Sequence, residues 1–125
     1  MLKISSKYLN VEGLQTLIES SKNTSEFDGA LIITSLGMIV GKLVPLYSET
    51  EVPHAAELVY DYKEEYVSSN KDIEIIGDGS LIVMEEVTII YGNNTKVDIE
   101  EITIHCTDII GFSPINIEKF KSSLN

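Results

Sequence analysis

His105 and Cys106 stand side by side, and an imidazole beside a thiol is the pairing that activates a cysteine nucleophile. Adjacent residues of a strand point to opposite faces, so these two side chains cannot meet in regular β structure. The pair reads as a small, buried Cys106 with His105 on the other face. His54 follows Pro53 at a helix start, where exposure is expected, and the sequence offers no partner for acid–base work. The pairs Glu64-Glu65, Glu85-Glu86 and Glu100-Glu101 are of the type that divalent-cation or acid–base chemistry needs. Adjacent carboxylates in a strand diverge, which makes them a solvated face. Gly77-Asp78-Gly79 reads as a tight turn and not a phosphate loop, because neither a helix start nor a lysine follows it. No catalytic, cofactor-binding or metal-ligating set is therefore expected, and the chain is expected not to be an enzyme.

Charge narrows the partners. Twenty acidic residues oppose nine basic ones for a net charge of −11, and every basic residue is lysine. Nucleic-acid surfaces present clustered cations and favour the planar Arg fork, and this chain also lacks a tryptophan for base stacking. Nucleic-acid and anionic-membrane binding are thus disfavoured. The acidic residues fall in both halves, eight before Lys63 and twelve after it, so they form a solvated surface and not a tail. One cysteine precludes an intramolecular disulfide, and MLKISSKYLN is not a basic leader with an apolar run, so a cytoplasmic setting is expected. Ala30 to Leu46 is the longest apolar stretch, but Gly37, Gly41, Lys42 and Pro45 break it and it is too short to span a bilayer. No membrane partner is expected.

The elements that must position these residues follow from periodicity. With 125 residues and 43% hydrophobic content, one domain with its own core is expected. Val11, Leu14, Leu17 and Ile18 repeat at helical spacing behind Asn10, a candidate N-cap, and predict a helix over about 10–21. Phe27 to Thr34 and Met38 to Val44 form a hairpin around Ser35-Leu36-Gly37. Thr50, Glu51 and Pro53 open a second helix running to about residue 68, with Val52, Ala55, Ala56, Val59, Tyr62 and Tyr66 as its apolar stripe. Packing is the ordinary explanation for its tyrosines, Tyr60 included. Asp72 to Ile76 reads as a short strand. In Leu81 to Tyr91 both alternating faces are largely apolar, which belongs to a strand covered on two sides, and Glu85-Glu86 marks a bend or bulge. Gly92, Asn93 and Asn94 then turn the chain into the second half of a main hairpin over about 80–112. Ile117, Phe120, Lys121 and Leu124 allow a terminal helix after Pro114.

The segments GALIITSLGMIVGKLV (29–44) and SLIVMEEVTIIYGNNTKVDIEEITIHCTDIIGF (80–112) resemble the two halves of an Sm-like (LSm) domain. In that family a helix precedes a strongly bent five-stranded antiparallel sheet. Its second motif has a cationic residue, a glycine, two variable residues and an aliphatic one. Ile104-His105-Cys106-Thr107-Asp108-Ile109 has this spacing, with His105 in place of arginine and Cys106 in place of glycine. The resemblance implies an α+β fold in which an N-terminal helix precedes an Sm-like barrel with the second helix inserted. It implies RNA-contact positions at Ser80, Leu81, His105 and Cys106, although the substitutions and the acidic surface disfavour RNA recognition. It also implies assembly of copies through edge strands. Ile82 to Ile90 and Ile102 to Phe112 are expected to supply unpaired backbone, with Ile82, Met84, Ile104 and Ile109 marking the interface strands. The expected function is a non-enzymatic, self-associating interaction module, a homo-oligomer open to a protein partner, with RNA the nucleic acid left open.

Phe27-Asp28-Gly29-Ala30-Leu31-Ile32-Ile33, Gly37-Met38-Ile39-Val40-Gly41 and the helix from about Thr50 are also similar to the opening half of the roadblock/dynein light chain family. That resemblance implies an α/β/α layered module that dimerises, regulates a small GTPase or attaches cargo. Both resemblances imply self-association without catalysis.

Overall fold

The computed structural model describes residues 4–21, 26–46, 52–70 and 72–124. The chain runs through helix α1 (Ser6–Ser21), strands β1 (Gly29–Thr34) and β2 (Gly37–Val44), helix α2 (Ala55–Ser69), and strands β3 (Leu81–Tyr91) and β4 (Lys96–His105). A 3₁₀ turn at Cys106–Asp108, strand β5 (Ile109–Ile115) and helix α3 (Ile117–Ser123) complete it. The fold is α+β, an N-terminal helix followed by a five-stranded antiparallel sheet of order β4-β3-β2-β1-β5. β4 and β5 do not pair with each other, so the sheet is bent and open. No helix among the described residues is long and apolar enough to cross a membrane.

Local chemistry accounts for most of these elements. α1 begins four residues before the expected Asn10 N-cap, because the Ser5 hydroxyl accepts the Tyr8 amide at 3.2 Å and caps the first turn. Val11, Leu14 and Ile18 face the core, whereas Leu17 is 46% exposed. Ser35 and Leu36 form the two-residue turn between β1 and β2, and Asn94, at φ 68°, lies in the turn between β3 and β4. Asn116 caps α3 by accepting the Lys119 amide at 3.0 Å.

Glu86 is the pivot of the sheet. Its φ of 53° coincides with a register shift in which Val40 pairs with Thr88 but Lys42 pairs with Glu85, so β3 holds one extra residue there. Strict alternation would put Val87 with Leu81 and Val83. The bulge instead sends Val87 into the core beside Ile82 and Met84. That core also holds Val11, Leu14 and Ile18 of α1 with Ile32, Ile39, Ile104 and Ile109. On the opposite face Leu81 and Val83 pack with Ala56 and Tyr60 of α2. α3 closes the other end of that second face, where Ile117 lies so near Gly29 that a Cβ there would collide with it. Helices therefore cover both faces of the sheet.

Several expectations are corrected. β3 is hydrogen-bonded on both sides, so Ile82 to Ile90 supplies no free edge, and the segment Ile102 to Phe112 is two strands on opposite edges separated by the 3₁₀ turn. Residues 72–76 form no strand, since β2 already pairs with β3 and the free edges belong to β4 and β5. Thr50 and Glu51 lie outside the described residues, and Pro53 precedes the N-cap, which is His54. Of the expected α2 stripe, Ala56 faces the sheet as expected and most of the rest does not. Ala56 is the buried residue of α2, whereas Val59, Tyr62 and Tyr66 are 44%, 67% and 45% exposed. Docking runs through Ala56 and Tyr60, spaced one turn apart. The Leu81 amide donates to the Tyr60 hydroxyl at 2.7 Å, and burial pushes that phenol above its ordinary pKa.

Candidate functional site

The second face of the sheet carries the polar cluster that the elements bring together. Glu85 and Glu101 are direct cross-strand partners on β3 and β4, so their carboxylates leave the sheet side by side. His54, fixed as the residue before α2, reaches across them. Its Nδ1 lies 2.7 Å from Glu101 Oε1 and its Nε2 lies 3.9 Å from Glu85 Oε1. The imidazole is buried, at 8% exposure, which corrects the expectation of an exposed His54 without a partner. The reason is tertiary: α2 packs by Ala56 on Leu81 and Val83, and that places the residue two positions earlier against the next pair along the strands.

Like charges directly opposite in a sheet repel, and His54 places a hydrogen-bond donor beside the Glu85–Glu101 pair. His54 supplies one N–H to Glu101, which orients the ring and turns Nε2 toward Glu85. One donor atom from each of the three residues lies within 4.8 Å of the other two. An open cleft of about 710 Å³ adjoins them, lined by Glu85, Glu86, Asp98, Glu100 and Glu101 with Lys121 as its cation. Chemically the cluster can orient an imidazole or ligate a cation. Next to it Lys42 and Glu86 pair at 2.6 Å across the bulge, and the carboxylate raises the pKa of the ammonium. Both partners are well exposed, so this pair contributes at most about 1 kcal/mol.

The four positions assigned to RNA contact also converge. Leu81 pairs with His105, and the Cys106 amide donates to the Ser80 carbonyl at 3.0 Å. Their side chains do not form one surface: Leu81 and Cys106 are buried, Ser80 is half-buried and His105 is exposed. Ser80 lines a groove of about 920 Å³ with Lys7, Tyr8, Tyr60, Lys63 and Asp78. The Ser80 hydroxyl and amide, together with the Ser5 hydroxyl, hold the Asp78 carboxyl below its usual pKa and tie the turn to the start of α1. Ile82, Met84, Ile104 and Ile109 are buried in the core beneath α1, so a neighbouring copy would not touch these side chains. Paired β3 and a core closed on both faces leave them no outward path.

Cys106 is fully buried and His105 exposed, and the chain leaves β4 between them, since His105 ends the strand and Cys106 opens the 3₁₀ turn. Burial pushes the Cys106 thiol above its ordinary pKa, so little reactive thiolate forms near neutral pH. The folded protein is therefore expected to react with an aromatic disulfide reagent at least about tenfold more slowly than the urea-unfolded chain. Equal rates would place the thiol at the surface.

In the sequence His54, Glu85 and Glu101 are separate features with nothing local to join them. The adjacent-carboxylate pairs drew attention because of their spacing, but the fold takes one member from each of two pairs. A signal was present: from the turn at Gly92 to Asn94, counting back along the hairpin in constant register places Glu85 opposite Glu101. Nothing comparable announces His54. No protein-family model matches the chain, and no curated protein does.

Proposed function

We propose that this chain is a non-enzymatic, self-associating interaction module of Sm-like kind, joined to further copies through its two sheet edges. The observation that carries the reading is the strand order, which leaves β4 and β5 as the free edges of one open sheet. An antiparallel sheet can be continued when β4 of one copy pairs with β5 of the next, and such head-to-tail contacts close into a ring when the rotation allows. β5 is suited to burial: Ile110 is 71% exposed and Phe112 42%, while Val97 on β4 is 39% exposed. A helix preceding a bent five-stranded antiparallel sheet also supports the Sm-like reading. The lone buried thiol suits a reducing, cytoplasmic setting.

A second reading rests on a different observation. The order helix, hairpin, helix, strands, with helices on both faces of the sheet, also suits a roadblock-type platform that dimerises and receives a protein partner. Its contact would be isologous, the same edge of each copy meeting its twin.

Solution mass separates the two. Light scattering during size-exclusion chromatography is expected to give roughly five to seven copies for a cyclic assembly. Ile110→Asp and Val97→Asp should each reduce that mass while leaving the circular-dichroism spectrum unchanged, because exposed positions cost little in folding, within about 0.5 kcal/mol. A dimer unaffected by one of the two substitutions would transfer the reading to the roadblock-type platform. A monomer at all concentrations would sink both. Salt-sensitive binding of single-stranded RNA that falls on His105→Ala would restore the RNA activity that the acidic surface disfavours.

A further inference from the structure

We propose that His54, Glu85 and Glu101 form a binding site for one divalent transition-metal ion of the zinc class, with His54 Nε2 and the Glu85 carboxylate as ligands. Glu101 holds the other ring nitrogen.

The distances argue for a cation in this gap. A separation of 3.9 Å between Nε2 and Glu85 Oε1 is too long for a hydrogen bond. A single ion bonded to both at roughly 2.0–2.2 Å holds its donors about 3.3–3.6 Å apart at the tetrahedral angle, so the partly exposed Glu85 carboxylate has to close by only a few tenths of an ångström. Glu101 at 2.7 Å from Nδ1 supplies the carboxylate behind the histidine that fixes the tautomer and the ring orientation.

Charge and rigidity point the same way. The cross-strand Glu85–Glu101 pair places like charges side by side against a histidine more than nine-tenths buried. A divalent cation carries the charge that offsets both carboxylates. The donors sit on held backbone: β3 and β4 are ladder partners, and the His54 carbonyl accepts the Leu58 amide at 3.2 Å as α2 begins. An imidazole nitrogen with carboxylate oxygen suits zinc, cobalt or nickel, whereas magnesium and calcium take oxygen ligands. The adjoining cleft, which Glu85 and Glu101 line with Glu86, Asp98 and Glu100, is acidic and draws cations toward the cluster. A bound ion would pin the start of α2 to the β3–β4 hairpin, independently of how copies of the chain assemble.

The rival occupant of the gap is a proton, with imidazolium bridging the two carboxylates, and the experiment separates them. The full chain, stripped with a chelator, is titrated with zinc chloride at pH 7.5 while the imidazole ¹⁵N resonances are followed. The chain has two histidines, so the exposed His105 is an internal control. One equivalent of zinc is expected to shift His54 Nε2 and leave His105 in place. Glu85→Gln, nearly isosteric, should weaken zinc at least about 100-fold, and Glu101→Gln, which removes the outer carboxylate, roughly 10- to 100-fold. His54→Ala should remove the site. Magnesium at the same concentration should neither shift His54 nor displace zinc. A His54 resonance that stays put at saturating zinc overturns the proposal, as does zinc affinity unchanged by Glu85→Gln. Both results need only wild-type protein or the conservative variant, so failure of His54→Ala to fold does not shelter the idea.

Discussion

Ile32→Ala is expected to lower the free energy of unfolding by about 3–4 kcal/mol, the upper part of the range for truncating a fully buried aliphatic side chain. Ile32 has no exposed surface and lies in β1, paired with Ile39 on one side and Phe112 on the other. It therefore sits between β2 and β5 in the middle of the core, and α1 packs over the same face. Alanine there leaves a cavity that neighbours on two ladders cannot collapse to fill. For a domain whose total stability is of the order of 5–15 kcal/mol, this is a large fraction. The measurement is urea unfolding followed by circular dichroism, with Ile33→Ala as the comparison, since Ile33 is 38% exposed on the opposite side of the same strand. A loss for Ile32→Ala below about 1 kcal/mol, or one equal to that of Ile33→Ala, would contradict the core as described. Because β5 is one of the two proposed assembly edges, the same variant should also lose assembly before it loses helix content.

Gly37→Ala is the second large effect, expected to cost about 2–4 kcal/mol from backbone strain and overpacking together. Gly37 opens β2 just after the two-residue turn and has φ 150°, a conformation side chains rarely adopt. Its Cβ would also run into the backbone carbonyl oxygen of Ile90 on β3. The obstruction is main chain held in a ladder, so it cannot be relieved by rotating a side chain. Gly13 provides the contrast, because it lies in α1 with open space where a Cβ would go. Alanine at Gly13 should stabilise the protein by about 0.5–1 kcal/mol through the helix-propensity difference. Opposite signs for the two Gly→Ala variants in thermal melts are the expected result, and a neutral Gly37→Ala would remove the argument for a close β2–β3 approach.

Much of the architecture was legible because it is written in short-range pattern. The two hairpins follow from alternating apolar runs around Ser35-Leu36 and Gly92-Asn93-Asn94, and the adjacent Glu85-Glu86 flagged the bulge that the register shift at Glu86 bears out. α1 and α3 carry helical spacing and polar caps. The failures have identifiable competitors. Asp72 to Ile76 alternates like a strand, yet a strand exists only where a partner ladder is free, and both free edges lie elsewhere. Val59, Tyr62 and Tyr66 have helical spacing but stay exposed, because α2 rests on the sheet by the smaller Ala56 and by the Tyr60 hydroxyl bond to Leu81.

By itself, then, the amino-acid sequence determined the element types, the turns, the antiparallel pairing within each hairpin and the acidic, arginine-free surface, all of which depend on neighbours within a few residues. Tertiary structure alone decided which edges stay open, which face each β3 side chain takes, and what meets His54. A single extra residue at Glu86 reverses the facing of everything after it, so Val87 joins Met84 in the core although strict alternation assigns it to the other side. His54 and Glu101 lie 47 residues apart, and no local propensity links them. They meet because burying Ala56, Leu81 and Val83 together fixes α2 on the second face, and that packing carries an imidazole onto two carboxylates that the hairpin had already aligned.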